Sequence, residues 1–210
     1  MEYGSLSDWV SSLSTLGTFV IAVMAYKAAP NWIKQKSDEY SFSSFNKLFD
    51  DAIPKFEERI SEICYQLNNK IPDDIYCDGT SLSRLQSYVR NNRDDFNSLD
   101  LYKYELDIKF LLEKIERNGW KLNNEANIKL EELIGMLPNF YSVYLSILLH
   151  VESMRLPVRS DNDYANLIEY HKITIHESLD KLKELEKNIL SKIKEFSNSA
   201  KGFNGFFRKI

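Results

Sequence analysis

The sequence has few of the residues that end helices or build metal sites. Its 210 residues include only seven glycines, five prolines, three histidines and two cysteines. So few glycines and prolines predict long regular elements joined by short turns. Two cysteines do not make a disulfide framework, and neither belongs to a C-x-x-C pair or lies near a histidine, so zinc is not expected. We expect Cys64 to be a small apolar core residue and Cys77 a loop thiol.

Motifs for catalysis and for phosphate binding are missing as well. The sequence contains no H-E-x-x-H, no G-x-S-x-G and neither of the common glycine-rich phosphate loops. His171 and His176 are separated by about 140° around a helix, so they make a poor metal pair. We therefore predict no cofactor, no metal and no enzymatic activity. A helical enzyme built from dispersed residues is the minor alternative.

The charge pattern argues against nucleic-acid binding. There are 27 basic and 31 acidic residues, a net charge of −4, and the two signs are mixed along the chain. Nucleic-acid binders concentrate positive charge on one face, because phosphate neutralisation supplies most of their affinity. The local group Arg84, Arg90 and Arg93 is followed at once by Asp94 and Asp95, which is typical of a solvated helix face. No nucleic-acid partner is expected.

What the sequence does contain is an uncharged apolar stretch near its N-terminus. No charge occurs from Trp9 to Tyr26, and a second indole, Trp32, closes the segment. As a helix it would place the two indoles roughly 35 Å apart, which matches a hydrocarbon core of about 30 Å with its interfaces. Aromatic rings favour that boundary, and Lys27 is close enough to one end to extend its ammonium outward. We predict one transmembrane helix over residues 9–32, with Trp9, Tyr26, Lys27 and Trp32 at the interfaces.

The flanking charges predict an orientation. Glu2 and Asp8 precede the segment, whereas Lys27, Lys34 and Lys36 follow its uncharged part. Positive flanks stay in the cytoplasm, so the N-terminus is expected outside and the main domain inside. A secretory signal peptide begins with a positively charged region, whereas this chain reaches Asp8 without a Lys or Arg. We therefore do not expect the segment to be a cleaved signal peptide. The richness in Asn, Lys, Ile, Ser and Tyr is typical of AT-rich bacterial genes, which places the span in a bacterial inner membrane.

Small residues recur along this segment at intervals of three and four. They would form one stripe on the helix, opposite a bulkier face that includes Leu13, Leu16, Val20 and Val23. The members of the stripe are Ser7, Ser11, Ser14, Thr18, Ala22, Ala25 and Ala29. Such stripes let membrane helices approach closely, so self-association or a membrane partner is one hypothesis. The alternatives are that small residues are simply common in such helices, or that the segment is a buried helix of a soluble bundle.

The rest of the chain predicts an all-α bundle without strands. We divide it into an anchor, residues 1–36, a helical domain, residues 37–200, and a tail, residues 201–210. Within the domain, the sequence Ser37–Glu39 predicts a helix start, and Pro54 predicts a kink or break. Asn118–Gly119 reads as a helix C-cap and Asn123 or Asn124 as the next N-cap.

Two further segments shape the expected bundle. The run Leu133–Val151 also lacks charge, and we interpret it as the central core helix, because Pro138, Asn139 and polar rings within it argue against a second membrane span. A long helix over residues 164–197 follows. Its apolar residues recur every seven positions, at Ile168, Ile175, Leu182, Ile189 and Phe196. A bundle helix is favoured over a coiled coil, because polar residues interrupt the second apolar position.

The chain ends in an aromatic and basic tail. Its residues of interest are Phe203, Phe206, Phe207, Arg208 and Lys209. Three roles are open for this tail: folding back on the domain, contacting the membrane surface, or docking into a partner.

These features favour a membrane-anchored interaction protein of unknown partner, acting as an adaptor, a sensor or a regulatory subunit. Composition alone makes bacterial phage defence or a mobile-element accessory role a reasonable setting. One alternative is a membrane-permeabilising effector that forms homo-oligomers through its transmembrane helix. A second is a soluble binding protein whose N-terminal helix is buried in the bundle.

Overall fold

A computed structural model describes residues 6–71, 83–91, 102–154 and 162–209. Cys77 and Arg93 lie outside this part of the chain. The helices are α1 (Leu6–Lys47), α2 (Ile53–Lys70), α3 (residues 83–91), α4 (Lys103–Arg117), α5 (Asn124–Ser153), α6 (Asn162–Ser197) and α7 (Phe203–Phe206). The described residues also form two short strands, β1 (Trp120–Leu122) and β2 (Phe207–Lys209).

The N-terminal helix enters the domain without interruption. A helical run of 62 residues extends from Trp9 to Lys70, through α1, a five-residue π-helical turn and α2. The predicted helix start at Ser37–Glu39 is therefore wrong. The hydroxyl of Ser37 does not cap a helix but donates to the carbonyl and side-chain oxygens of Asn118, both at 3.2 Å. A cap is needed where the first amides of a helix have no carbonyl partner. The amides that follow Ser37 already bond to carbonyls of the preceding helical turn, because α1 is continuous there.

Pro54 does not break the helix, because the π-helical turn Leu48–Ala52 comes directly before it. In a regular α-helix, the proline ring clashes with the carbonyl four residues earlier. The wider π turn is a common way to absorb such a conflict, and its bonding is visible in the Ile53 amide, which donates to the carbonyl of Leu48 five residues back. The predicted disturbance thus occurs near Asp50 and Asp51, but as a π turn within one continuous helix.

Helices α4 to α6 complete the domain around the second half of this long helix. The start of α4 lies beside the π turn and its end lies beside Ser37, so α4 runs antiparallel to α1. Its predicted C-cap is confirmed, since Gly119 has a φ of 81°, the left-handed region that glycine adopts without strain. Asn123 is the N-cap of α5, with its side-chain oxygen accepting the amide of Ala126 at 2.7 Å.

Helix α5 is the core helix of the domain, as the sequence predicts. It pairs with α6 in antiparallel orientation, bringing His150 close to His171 at one end and Glu132 close to Lys192 toward the other. Pro138 lies inside the helix and does not end it. By length and composition α5 could also cross a membrane, but 44% of its most apolar window is buried in the domain, against none for the N-terminal helix.

The seven-residue repeat of α6 forms the seam that packs on α5 and α2. Every member of the repeat is buried, as are the flanking apolar residues Leu179, Leu185 and Ile193. The seam is therefore used inside one chain, which confirms the bundle interpretation over a separate coiled coil.

The expectation of no strands is wrong in one place. Strands β1 and β2 form a two-stranded antiparallel ladder, with Trp120 opposite Lys209, Lys121 opposite Arg208 and Leu122 opposite Phe207. Each strand has three residues, too few to show an alternating pattern. The two strands are also separated by 84 residues, 123–206, so no hairpin turn marks them.

The ladder brings the tail back onto the domain. Phe206 and Phe207 are each 2% exposed, and Phe203 packs against the same aromatic cluster. Members of this cluster from the rest of the chain are Phe42, Phe45, Phe49, Trp120 and Phe196. Of the three roles considered for the tail, the structure shows folding back.

Ile189→Ala tests the α6 seam. The side chain is fully buried, so its truncation should lower the free energy of unfolding by about 2–5 kcal/mol through lost transfer energy and a residual cavity. Urea unfolding followed by circular dichroism would measure the change. Ile173→Ala on the same helix is the control, because Ile173 is 50% exposed and should change stability little. Equal losses from both variants would contradict the assigned seam.

Candidate functional site

The first part of α1, residues 9–32, projects from the domain as an apolar rod. Its side chains are exposed on all faces: Trp9 is 65% exposed, Ile21 68% and Trp32 62%. Among the described residues, the first partly buried side chains along this helix are those of Lys36, Ser37 and Asp38. The described part of the domain therefore does not cover this segment.

The helical backbone of the rod and two of its threonine hydroxyls are hydrogen-bonded within the helix. The backbone is helical throughout, and the hydroxyls of Thr15 and Thr18 donate to the carbonyls of Ser11 and Ser14, both at 2.9 Å. A segment with satisfied backbone and hydroxyl groups can enter a medium that offers no hydrogen bonds. The rod thus combines apolar side chains with a backbone that is hydrogen-bonded along the helix, apart from the donor that Pro30 lacks.

All the predicted interface and stripe residues lie on this rod. Trp9, Tyr26, Lys27 and Trp32 are exposed on α1, and the helix continues through Pro30. The stripe residues are also exposed and share one side of α1, namely Ser7, Ser11, Ser14, Thr18, Ala22, Ala25 and Ala29. Helix–helix association through the stripe stays a prediction, since the structure contains a single chain.

A three-residue latch, Asp38, Trp120 and Lys209, ties the base of the rod to the domain. One carboxylate oxygen of Asp38 accepts the indole N–H of Trp120 at 2.9 Å and the ammonium of Lys209 at 2.6 Å. The same ammonium lies 4.9 Å from the centre of the Trp120 ring. The hydrogen bond from Lys209 and, to a smaller extent, the one from Trp120 lower the pKa of the Asp38 carboxyl. The latch joins α1, β1 and β2 at the point where the rod leaves the domain.

The aromatic cluster lies directly behind the latch. The ring of Phe203 meets Trp120 edge to face, with 4.7 Å between ring centres, and meets Phe45 in the same way at 5.6 Å. Edge-to-face pairs add to the energy of burial and restrict ring orientation. The direction of the rod is thus held by packing as well as by charge.

A groove of about 510 Å³ lies beside the latch, between the base of the rod and the end of α4. Its lining is mixed, with apolar rings on the rod side and polar groups on the domain side. The lining residues are Trp32, Ile33, Lys36, Ser37, Glu39, Tyr40 and Asn118.

A histidine pair near the C-terminal end of α5 was not predicted from the sequence. The Nδ1 atoms of His150 and His171 are 2.8 Å apart, so one ring donates and the other accepts. Partial burial, together with the neighbouring His150, lowers the pKa of His171. The two residues are 21 positions apart, and only the antiparallel pairing of α5 with α6 brings them together. Local spacing carries no signal for such a contact.

The described residues include no cluster of side chains suited to metal binding. No three side chains among His, Cys, Asp and Glu converge within that part of the chain. Cys64 is 1% exposed, and burial raises the pKa of its thiol, which makes it an inert core residue. The geometry therefore points to the rod and its base as the features to explain.

Comparison with protein-family models, with curated proteins and with solved structures found no match. The function is accordingly inferred from the sequence and the geometry.

Asp38→Asn tests the latch. Loss of the negative charge removes the ion pair with Lys209, so strand β2 should open more often. Hydrogen exchange of the Phe207–Lys209 amides should become several-fold faster in the variant. The folded carboxyl has a lowered pKa, so its stabilising effect is present above the unfolded pKa, about 4, and is lost as pH falls through the folded pKa.

Glu39→Gln is the control for this experiment. Glu39 pairs with Lys36 on the surface of the same helix and does not touch the ladder. Exchange in β2 should be unchanged in this variant. Unchanged exchange in Asp38→Asn would refute the latch.

His171→Gln tests the histidine pair. The folded pKa of His171 is lowered, so the unfolded chain binds the proton more readily, and stability should decline as pH falls below about 6.5. Thermal unfolding between pH 8 and pH 5 should show a smaller decline for His171→Gln than for the parent chain. His176→Gln should keep the parental decline. If all three chains respond alike, the pair does not control this pH dependence.

Proposed function

We propose that this chain is a membrane-anchored interaction protein. Residues 9–32 of α1 form a single membrane span, and the helical domain binds a protein partner at the cytoplasmic surface. The observation that carries the proposal is the apolar rod, which the described domain leaves exposed on all faces. An apolar surface of this extent is typical of a segment that lies in a membrane or in an interface.

The dimensions of the rod support a membrane over a soluble partner. Trp9 and Trp32 are 23 residues apart, which is roughly 35 Å along a helix and spans a hydrocarbon core of about 30 Å. Lys27 is near enough to the Trp32 end to reach the headgroups along its own methylenes. Pro30 removes one backbone donor close to that interface, where water and headgroups can compensate.

The charges on the domain side support the orientation. Lys27, Lys34 and Lys36 all follow the uncharged part of the segment. By the positive-inside rule, the domain is on the cytoplasmic side and the short N-terminus outside. In a bacterium, this corresponds to the inner membrane.

The continuity of α1 with α2 supports a role as an adaptor, a sensor or a regulatory subunit. A movement of the span would be carried into the domain, because the helix runs unbroken to Lys70 and the latch fixes it at Asp38. The domain in turn offers an exposed apolar patch near the start of α6 for a partner, formed by Leu167, Tyr170 and Ile173. We leave the identity of that partner open.

The two alternatives make different demands on α1. A permeabilising effector would need several copies to associate through the small-residue stripe. The exposure of the stripe is compatible with such association. A soluble bundle would need the N-terminal helix buried in the domain, whereas the structure leaves it exposed. The membrane-anchored protein remains the proposal that uses every feature of the rod.

The double variant Val20→Lys/Ile21→Lys tests the span. Both residues lie at the centre of the rod, where each lysine costs about 2.5–3.5 kcal/mol of insertion free energy. The parent chain should remain in the membrane pellet after carbonate washing and should need detergent for release. The double variant should shift largely to the soluble or aggregated fraction.

The matched control is Leu167→Lys/Ile173→Lys, which places the same two lysines on exposed apolar positions of α6. This variant should stay in the membrane like the parent. Protease added outside spheroplasts should leave the domain intact, in agreement with a cytoplasmic location. Release of the parent chain by carbonate alone would overturn the proposed anchor.

A further inference from the structure

The outward face of the β1–β2 ladder carries two positive charges directly opposite each other. Lys121 is the cross-strand partner of Arg208, and both side chains are exposed. The neighbouring pair, Leu122 and Phe207, is buried in the core. Successive side chains of a strand point to opposite faces, so Lys121 and Arg208 point away from the core. Like charges in this position repel and weaken a ladder.

These two cations differ from their neighbours in having no carboxylate partner within the described residues. Three nearby cations are each paired: Lys36 with Glu39, Arg117 with Glu113 and Lys209 with Asp38. Arg208 makes one long contact, 3.5 Å from a nitrogen of its guanidinium to the amide oxygen of Asn124. That contact leaves the positive charge uncompensated.

The ladder lies close to the level at which the rod would leave the membrane. The latch ties it to Asp38, which is six residues, or roughly 9 Å, beyond Trp32 along the helix. Lys34 is four residues before Asp38, so it lies on the same side of α1, one turn nearer the apolar segment. Lys34 is also exposed and makes no ion pair with a carboxylate among the described residues, although it lies near enough to the Asp38 carboxyl to help lower the pKa of that group. Lys34 therefore lies two residues, roughly 3 Å along the helix, beyond Trp32, and the ladder that carries the uncompensated charges of Lys121 and Arg208 is tied to the same part of α1.

We propose that Lys34, Lys121 and Arg208 form a binding surface for the phosphate groups of anionic lipids. The inference rests on the proposed membrane anchor, which brings this face of the domain to the headgroups. Arg208 can bind a phosphate through two parallel N–H donors, and the two lysines add point charges beside it. An anion between Lys121 and Arg208 removes their mutual repulsion, so lipid binding also stabilises the ladder. The surface then holds the domain against the membrane in a fixed orientation.

The experiment compares the full chain in nanodiscs of phosphatidylcholine alone with nanodiscs that also contain phosphatidylglycerol. The readout is hydrogen exchange of the amides in Trp120–Leu122 and Phe207–Lys209. We expect several-fold slower exchange when phosphatidylglycerol is present at low salt. The difference should vanish at high salt, which screens exposed charges.

Two variants separate this surface from a general effect of charge. Lys121→Gln/Arg208→Gln should lose the response to phosphatidylglycerol. The control Lys70→Gln/Arg90→Gln removes one lysine and one arginine that are exposed at the far end of the domain and should keep the response. Lys70 is 32 residues, or roughly 48 Å, along the continuous helix from Asp38.

The outcomes distinguish this inference from the proposed anchor. A chain that enters neither kind of nanodisc overturns both. A chain that enters both kinds with equal exchange rates keeps the anchor and overturns the lipid surface. Slowing that persists in Lys121→Gln/Arg208→Gln also overturns it. So does equal slowing by inorganic phosphate in phosphatidylcholine nanodiscs, since the surface would then bind free anions.

Discussion

The helix of residues 9–32 carries apolar side chains that the described domain does not bury, and this constraint governs the rest of the structure. In water, such a surface is a cost that the fold itself does not offset. A medium or a partner must cover it, and its length and flanking rings fit a bilayer. The domain has its own core, centred on α5 and the α6 seam, and does not draw on the rod for stability. The rod and the domain are therefore distinct in their packing although one helix runs through both.

That shared helix gives the base of the rod its importance. A helix leaving a domain could swing if nothing held it, yet Asp38 joins it to β1 and β2 and the phenylalanine cluster packs behind. The C-terminal tail supplies part of both contacts, so the last residues of the chain help to fix the direction of the first helix. The π turn before Pro54 has a related effect, because it lets the rod continue into α2. Together these features make the rod and α2 one continuous helix that is fixed to the domain at Asp38.

Much of the fold could be predicted from the sequence, because its signals are local or periodic. The Asn123 cap depends on a hydrogen bond three residues away, and Gly119 on its own backbone angle. The α6 seam follows from a repeat that any helix of that sequence would present on one face. The two wrong predictions, a helix start at Ser37–Glu39 and the absence of strands, concern features that local signals do not determine. Ser37 has good capping chemistry but no helix end to cap, and each strand is too short for a pattern.

The sequence by itself determined the helical character of the chain, the apolar length near its N-terminus and the faces that form the core. These depend on neighbouring residues, and the physics of a helix turn is enough to derive them. Only the tertiary structure decided that Asp38 meets Lys209, that Lys121 faces Arg208 and that His150 meets His171. Those pairs join residues 21 to 171 positions apart, and no local energy selects them. The packing of the whole domain places them, and the apolar rod acquires a defined base only when that packing is complete.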